Sequence, residues 1–155
     1  MKTARFACIA ALIFGMASLA FAAETQRTAK IISIDGSAEV KPANSNSWMP
    51  AQAGAVMSEG DTLKTGAKSM AILDIGEKGE VGTVEVSEGS QLQLATMSVD
   101  RKSDTSRTLL DLSMGEVLVK AQKVHGEGSK FEVKTPTSIV AVRGTTFKVK
   151  VESME

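Results

Sequence analysis

Residues 131–151 read FEVKTPTSIVAVRGTTFKVKV, and their alternation decides the fold class. Phe131 and Val133 alternate with Glu132 and Lys134, and Phe147, Val149 and Val151 alternate with Lys148 and Lys150. A period of two puts the apolar residues on one face of a strand, whereas a helix over the same residues would bury lysines and a glutamate with them. Thr135-Pro136 interrupts the run before Ile139, Val140, Ala141 and Val142, and Arg143-Gly144 interrupts it again. Pro136 has no N–H to give to a ladder, which places it at the corner before a central strand. Gly144 is expected to supply a backbone conformation or a close approach that a side chain would forbid. The stretch therefore predicts strand, turn, strand, tight turn, strand.

The same reading extends upstream. Ala29 to Ile34 and Ser37 to Lys41 predict two partner strands about Asp35-Gly36, and Pro42 to Ser47 a loop that delivers Trp48. Met57 to Asp61 reads as a polar turn, Thr62 to Thr65 as a short strand ending at Gly66, and Ser69 to Ile75 as a central strand, apolar on both faces. Gly76 to Gly82 is a charged loop. Thr83 to Ser87 and Gln91 to Ala95 predict a hairpin about Glu88-Gly89, and Thr108 to Leu112 with Glu116 to Ala121 another about Met114-Gly115. Ser98 to Arg107 reads as an exposed excursion, and residues 125–128 as a flexible connection. Units of strand, polar residue, glycine and strand recur at IDGSAEV from Ile34, VSEGSQLQL from Val86 and LSMGEVLV from Leu112. They predict hairpins stacked along an axis or wrapped into a small barrel, each pair covering the open edge of the last. Strand count and turns alone leave a small β-sandwich or jelly roll open.

The run TPTSIVAVRGTTF, residues 135–147, resembles the closing signature of the FecR domain, a module named after a ferric citrate transport regulator of Gram-negative bacteria. GDTLKTGAKSMAILDI, Gly60 to Ile75, resembles the same family's first half, where Gly-Asp, a hydrophobic residue and Thr-Gly precede a strand. With Trp48-Met49-Pro50 ahead of it, the likeness covers nearly everything between Lys30 and Lys150. Residues 76–82, GEKGEVG, depart from the family's short Asp-Gly-Ser turn. The resemblance implies an all-β periplasmic domain of stacked paired strands, a twin-stranded β-helix. A FecR-type regulator resembles a three-part device: a cytoplasmic anti-sigma segment, a membrane helix and a periplasmic domain that touches an outer-membrane transporter. Only the last of these is expected here, behind a leader, so transmembrane signalling is not carried over.

Met1 to Ala22 predicts that leader. Lys2 and Arg5 precede an apolar run from Ile9 to Phe21, and Ala20-Phe21-Ala22 offers a small-x-small cleavage site, the pattern of a secretory signal peptide. The alternative is an uncleaved anchor. Residues 23–155 suit a single β domain in the periplasm, or secreted or at the cell surface, with no transmembrane segment after cleavage. Cys8, the one cysteine, lies in the leader, so the exported body holds no disulfide or thiolate ligand.

The formal charge is zero with both signs interspersed, and no basic stripe with aromatic platforms marks a nucleic-acid surface. His125 is the one histidine; a metal site there would have carboxylates as its only partners, and no Gly-x-Ser-x-Gly elbow announces a nucleophile. The sequence thus predicts no enzyme, no cofactor and no metal. Arg143, Gly144, Thr145 and Phe147 form a candidate structural signature, in which the arginine stem covers core edge while its guanidinium reaches carbonyls or a carboxylate; direct contact with a partner is the alternative. Trp48 with Asn44 and Asn46 is a candidate binding surface, set against Trp48 simply capping the core. The expected function is an exported interaction or scaffold domain with an envelope protein as partner; the alternative is a small-ligand or glycan-binding module.

Overall fold

The structure, a computed structural model, describes residues 25–76, 80–123 and 128–152. The leader read at residues 1–22, the centre of the 76–82 loop and His125 lie outside them. In chain order the strands are β1 (Thr25–Gln26), β2 (Ala29–Asp35), β3 (Ala38–Lys41), β4 (Met49–Pro50), β5 (Val56–Met57), β6 (Thr62–Thr65) and β7 (Met70–Ile75). There follow β8 (Gly82–Val86), β9 (Gln91–Asp100), β10 (Thr105–Ala121), β11 (Lys130–Lys134), β12 (Ile139–Val142) and β13 (Thr146–Val151).

The long strand β10 belongs to two half-sheets. Its first part lies in the order β4-β3-β6-β9-β10-β11-β12, with β1 added on β9; its second part lies in the order β5-β2-β7-β8-β10-β13. All pairs are antiparallel except β10 with β11. Inner faces of both halves meet in one core containing Ile31, Leu73, Val84, Leu92, Leu110, Val119 and Phe131. Side chains this thoroughly removed from water stabilise the fold by about 1.5–3 kcal/mol each.

A strand that passes from one half to the other must keep facing the same core, and bulges make the adjustment. Along β10 the buried residues are 106, 108, 110 and 112, then 117 and 119; the phase changes beside a register shift between Leu112 and Met114. β9 is buried at 92 and 94 and then at 97, with a shift opposite Leu109/Leu110, and β2 shifts between Ile31 and Ser33. One extra residue in a strand reverses which side chains point inward, so each bulge preserves the core across a bend.

Four crossings from half to half lie next to one another. They are Asp35–Ser37 between β2 and β3, Gly66–Ser69 between β6 and β7, Ser87–Ser90 between β8 and β9, and Met114–Glu116 inside β10. A turning backbone leaves the ladder, and hydroxyls of the adjacent crossing satisfy what it leaves. Ser37 N–H donates to Ser69 Oγ at 2.9 Å, Ser90 N–H to Thr65 Oγ1 at 3.0 Å, and Glu116 N–H to Ser90 Oγ at 2.9 Å. Backbone bonds reinforce the column: Gly66 N–H to Ser37 O at 2.9 Å, Gly89 N–H to Gly66 O at 3.1 Å and Ser87 N–H to Glu116 O at 2.9 Å. At Gly115, φ is +89° and an added Cβ would lie 2.5 Å from Ser90 Cα, so the approach itself requires glycine.

The all-β stack of paired strands expected from the sequence is the architecture observed. Its turns sit elsewhere. The hairpins expected about Asp35-Gly36, Glu88-Gly89 and Met114-Gly115 are not formed: β2 does not pair with β3, nor β8 with β9, and Met114-Gly115 lies within a single strand. The true hairpin ends include the tip at residues 101–104, so the exposed excursion expected over Ser98 to Arg107 is mostly paired strand, with Ser98 opposite Arg107 and Asp100 opposite Thr105. Asp100 closes that tip; the Lys102 N–H and then the Ser103 hydroxyl hold its carboxyl below the usual range. The segment Ile139–Val142 is an edge strand rather than a central one, because β12 pairs with β11 alone.

Substitutions at the crossings separate conformation from close approach. Gly89 has φ +60° but open space around its Cβ position, so Gly89→Ala costs only about 1–2 kcal/mol. Gly115→Ala costs more than about 3 kcal/mol, since the Ser90 backbone must also move, and Ser90→Ala costs about 1–3 kcal/mol for the stranded Glu116 N–H. Urea unfolding midpoints should be highest for Gly89→Ala, lower for Ser90→Ala and lowest for Gly115→Ala.

Candidate interaction surface

Each open edge of a sheet invites another strand, and the terminal strands among the described residues differ in how well they resist it. β4 consists of two residues, one of them Pro50, and β1 and β5 are also two residues long. β13 is longer but carries Lys148 and Lys150, paired with Glu116 at 2.9 Å and Glu152 at 2.9 Å. β12 reads Ile-Val-Ala-Val, with neither charge nor proline, and Ile139 is 63% exposed.

The hydrogen-bond phase of β12 follows from its turn. Thr135 N–H donates to Ser138 O at 2.8 Å, and Lys134 lies opposite Ile139. Hydrogen-bonded and non-hydrogen-bonded pairs alternate in an antiparallel ladder, so Val140 and Val142 bond to β11 while Ile139 and Ala141 turn their N–H and C=O to the open edge. Beside this edge, Met114, Pro136, Val140, Phe147 and Val151 contribute to a cleft of about 690 Å³ between β12 and β13.

The sequence-predicted residues are distributed around this surface. Arg143 is exposed at the position after β12, and its guanidinium has no hydrogen bond or ion pair to a described residue; its chain lines a hollow with Lys130, Glu132 and Ala141. Gly144 has φ +61°, and a Cβ there would approach Lys123 Cα to 3.2 Å. Thr145 is exposed and its carbonyl accepts the Ala121 N–H at 3.2 Å. Phe147 is partly buried against the core. Residues 143–145 carry the chain from β12 in one half to β13 in the other.

Trp48 lies far off in sequence, in the loop just before β4. Its ring is half-buried with the Lys41 Nζ 5.3 Å and the Lys64 Nζ 5.8 Å from its centroid, within cation–π range. Asn44 and Asn46 are exposed in the loop before it. That loop is tied down by Asp61, whose two oxygens accept the Ala43 and Ser58 N–H groups, both at 2.9 Å. Gly60 has φ +90°, and a Cβ there would meet Ala43 Cβ at 2.6 Å, which gives the Gly-Asp pair its physical reason.

Sequence reasoning missed two further residues. Arg107 on β10 is directly opposite Lys130 on β11, and continuing the β11–β12 register from Phe131–Val142 places Lys130 opposite Arg143. All three are exposed. Nothing local signals this row, because it depends on the one parallel pairing in the fold.

No group of three or more His, Cys, Asp or Glu among the described residues could hold a metal ion, and no helix among them is long and apolar enough to cross a membrane. The family described as FecR protein matches residues 61–155. No curated protein matches the chain, and no solved structure does.

The exposure of Arg143 and the crowding of Gly144 set opposite expectations for neighbouring positions. Arg143→Ala should leave unfolding free energy within about 0.5 kcal/mol of the parent. Gly144→Val should lower it by more than about 1–2 kcal/mol, because a β-branched residue enters the left-handed region beside Lys123. Equilibrium denaturation of both variants checks the pair.

Proposed function

The chain belongs to the FecR protein family, and from that premise we propose that it is an exported interaction module of the cell envelope which receives an extended segment of another protein along β12. The observation that carries this reading is the β12 edge: among the described residues Ile139 and Ala141 have no strand partner for their outward backbone groups and lie beside a cleft, while the terminal strands β1, β4, β5 and β13 are short, proline-bearing or charged. Strand addition takes its affinity from main-chain hydrogen bonds and its selectivity from alternate side chains, and it needs no reaction centre. A periplasmic location follows from the leader read at residues 1–22 together with the family's usual setting.

A glycan or small ligand at Trp48 is the second reading. Its supporting observation is an amphipathic site, an indole ring with two ammonium groups in reach. Those same contacts occupy the ring with its own neighbours, which favours the edge.

A photo-crosslinking residue placed at Ile139 in cells of the native host should join the protein to one envelope partner, and Ala141→Pro should abolish the adduct. Proline at 141 removes an N–H that faces outward, so it blocks an added strand without breaking the β11 ladder. The same probe at Val56, on the β5 edge of the other half-sheet, should give no such adduct. Adducts from Val56 and none from Ile139 would refute the assignment.

A further inference from the structure

Arg107 on β10 lies opposite Lys130 on β11, and the β11–β12 register carried one residue past Phe131–Val142 brings Arg143, the residue after β12, into the same row at the open edge. Like charges directly opposite each other destabilise a sheet, and here two such pairs stand side by side. None of the three cations has an ion pair or side-chain hydrogen bond to a described residue, although two rows further in Lys134 meets Asp111 at 3.2 Å. Among the described residues this row has no counter-charge, and it stands where a further strand would continue it.

Resting on the strand-addition reading, we propose that the strand received at β12 is acidic where it meets Arg143. A strand laid on the edge places a residue of its own directly opposite Arg143, next in line after Arg107 and Lys130. A carboxylate there ends the run of like charge and takes the planar, two-pronged hydrogen bonding that a guanidinium offers. Two residues along, the added strand faces Ala141, and two further it faces Ile139, whose exposed side chain calls for an apolar neighbour. The partner segment is therefore extended, with an acidic residue and an apolar one four positions apart on the same face. The hollow formed by Lys130, Glu132, Ala141 and Arg143 lies under the acidic end. Glu132 narrows the choice: it sits one row inside the cations and repels a second carboxylate placed opposite Ala141.

Three fluorescent strand peptides, each with a threonine to face Ala141 and a valine to face Ile139 and differing only in a glutamate, glutamine or lysine to face Arg143, make the probes. Anisotropy titrations should find the glutamate peptide bound about tenfold more tightly than the glutamine one, with the lysine peptide weakest. That preference should shrink as salt rises from about 50 to about 500 mM, and should vanish in the variant Arg107→Gln/Lys130→Gln/Arg143→Gln. The single variant Arg143→Gln should already remove most of it. Ala141→Pro should lose all three peptides. Equal binding of the glutamate and glutamine peptides, both lost in Ala141→Pro, would overturn the charge inference and leave the edge reading standing. Binding of none of them would count against the edge itself. Undiminished glutamate preference in Ala141→Pro would overturn the inference in favour of a plain anion patch. A dimer of the protein alone that Ala141→Pro dissociates would overturn it in favour of a second copy as occupant.

Discussion

The structure depends on hydrogen bonds that one chain crossing makes to the next. When a strand leaves one half-sheet for the other, its N–H and C=O groups lose their ladder partners, and orphaned groups in a buried corner would cost about 1–3 kcal/mol each. Ser69, Thr65 and Ser90 supply oxygens to the backbones of the neighbouring crossings, and the glycines let those backbones approach closely enough to be reached. Each crossing is complete only beside its neighbour. The stack thus behaves as one cooperative column, in which the core side chains and the corner hydroxyls hold the same geometry from two sides.

The column ends at β10. Beyond it, β11 and β12 extend one half and β13 the other, and the chain joins them through Arg143–Thr145 instead of through another Ser-Gly crossing. The last rung consequently has two separate edges. β13 is guarded by its lysines and their carboxylate partners, whereas β12 has four uncharged residues and an outward row of backbone groups. An uncharged terminal strand beside a row of three exposed cations gives this surface its functional interest.

Much of the fold was legible in the sequence because alternation is local. Phe131/Val133 and Phe147/Val149/Val151 declare their strands, and the recurring Gly-centred units do stack, though as crossings between half-sheets and not as the hairpins their turns suggest. Whether a glycine turn returns the chain to its own partner or sends it to another sheet was not legible: Glu88-Gly89 supports either, and the choice lies with β6 and β10, distant in sequence. The bulges that reverse inward and outward along β2, β9 and β10 escape a strict period of two for the same reason. At the surface, Arg143 and Gly144 stand out in sequence, yet the carboxylate or carbonyl expected for the guanidinium is not among the described residues. Arg107 and Lys130 join Arg143 only through a parallel register no local pattern encodes. Trp48 announced itself as a lone aromatic, but its lysine neighbours come from two different strands.

Amide hydrogen exchange, resolved residue by residue, tests the link between the sealed column and the bare edge most directly. The Ser90 and Glu116 amides, held by Thr65 Oγ1 and Ser90 Oγ, should exchange only through global unfolding, while the Ala141 amide should exchange far faster than its neighbour Val140. Protection of Ala141 equal to that of Val140, or exchange of Ser90 and Glu116 through local opening, would contradict it.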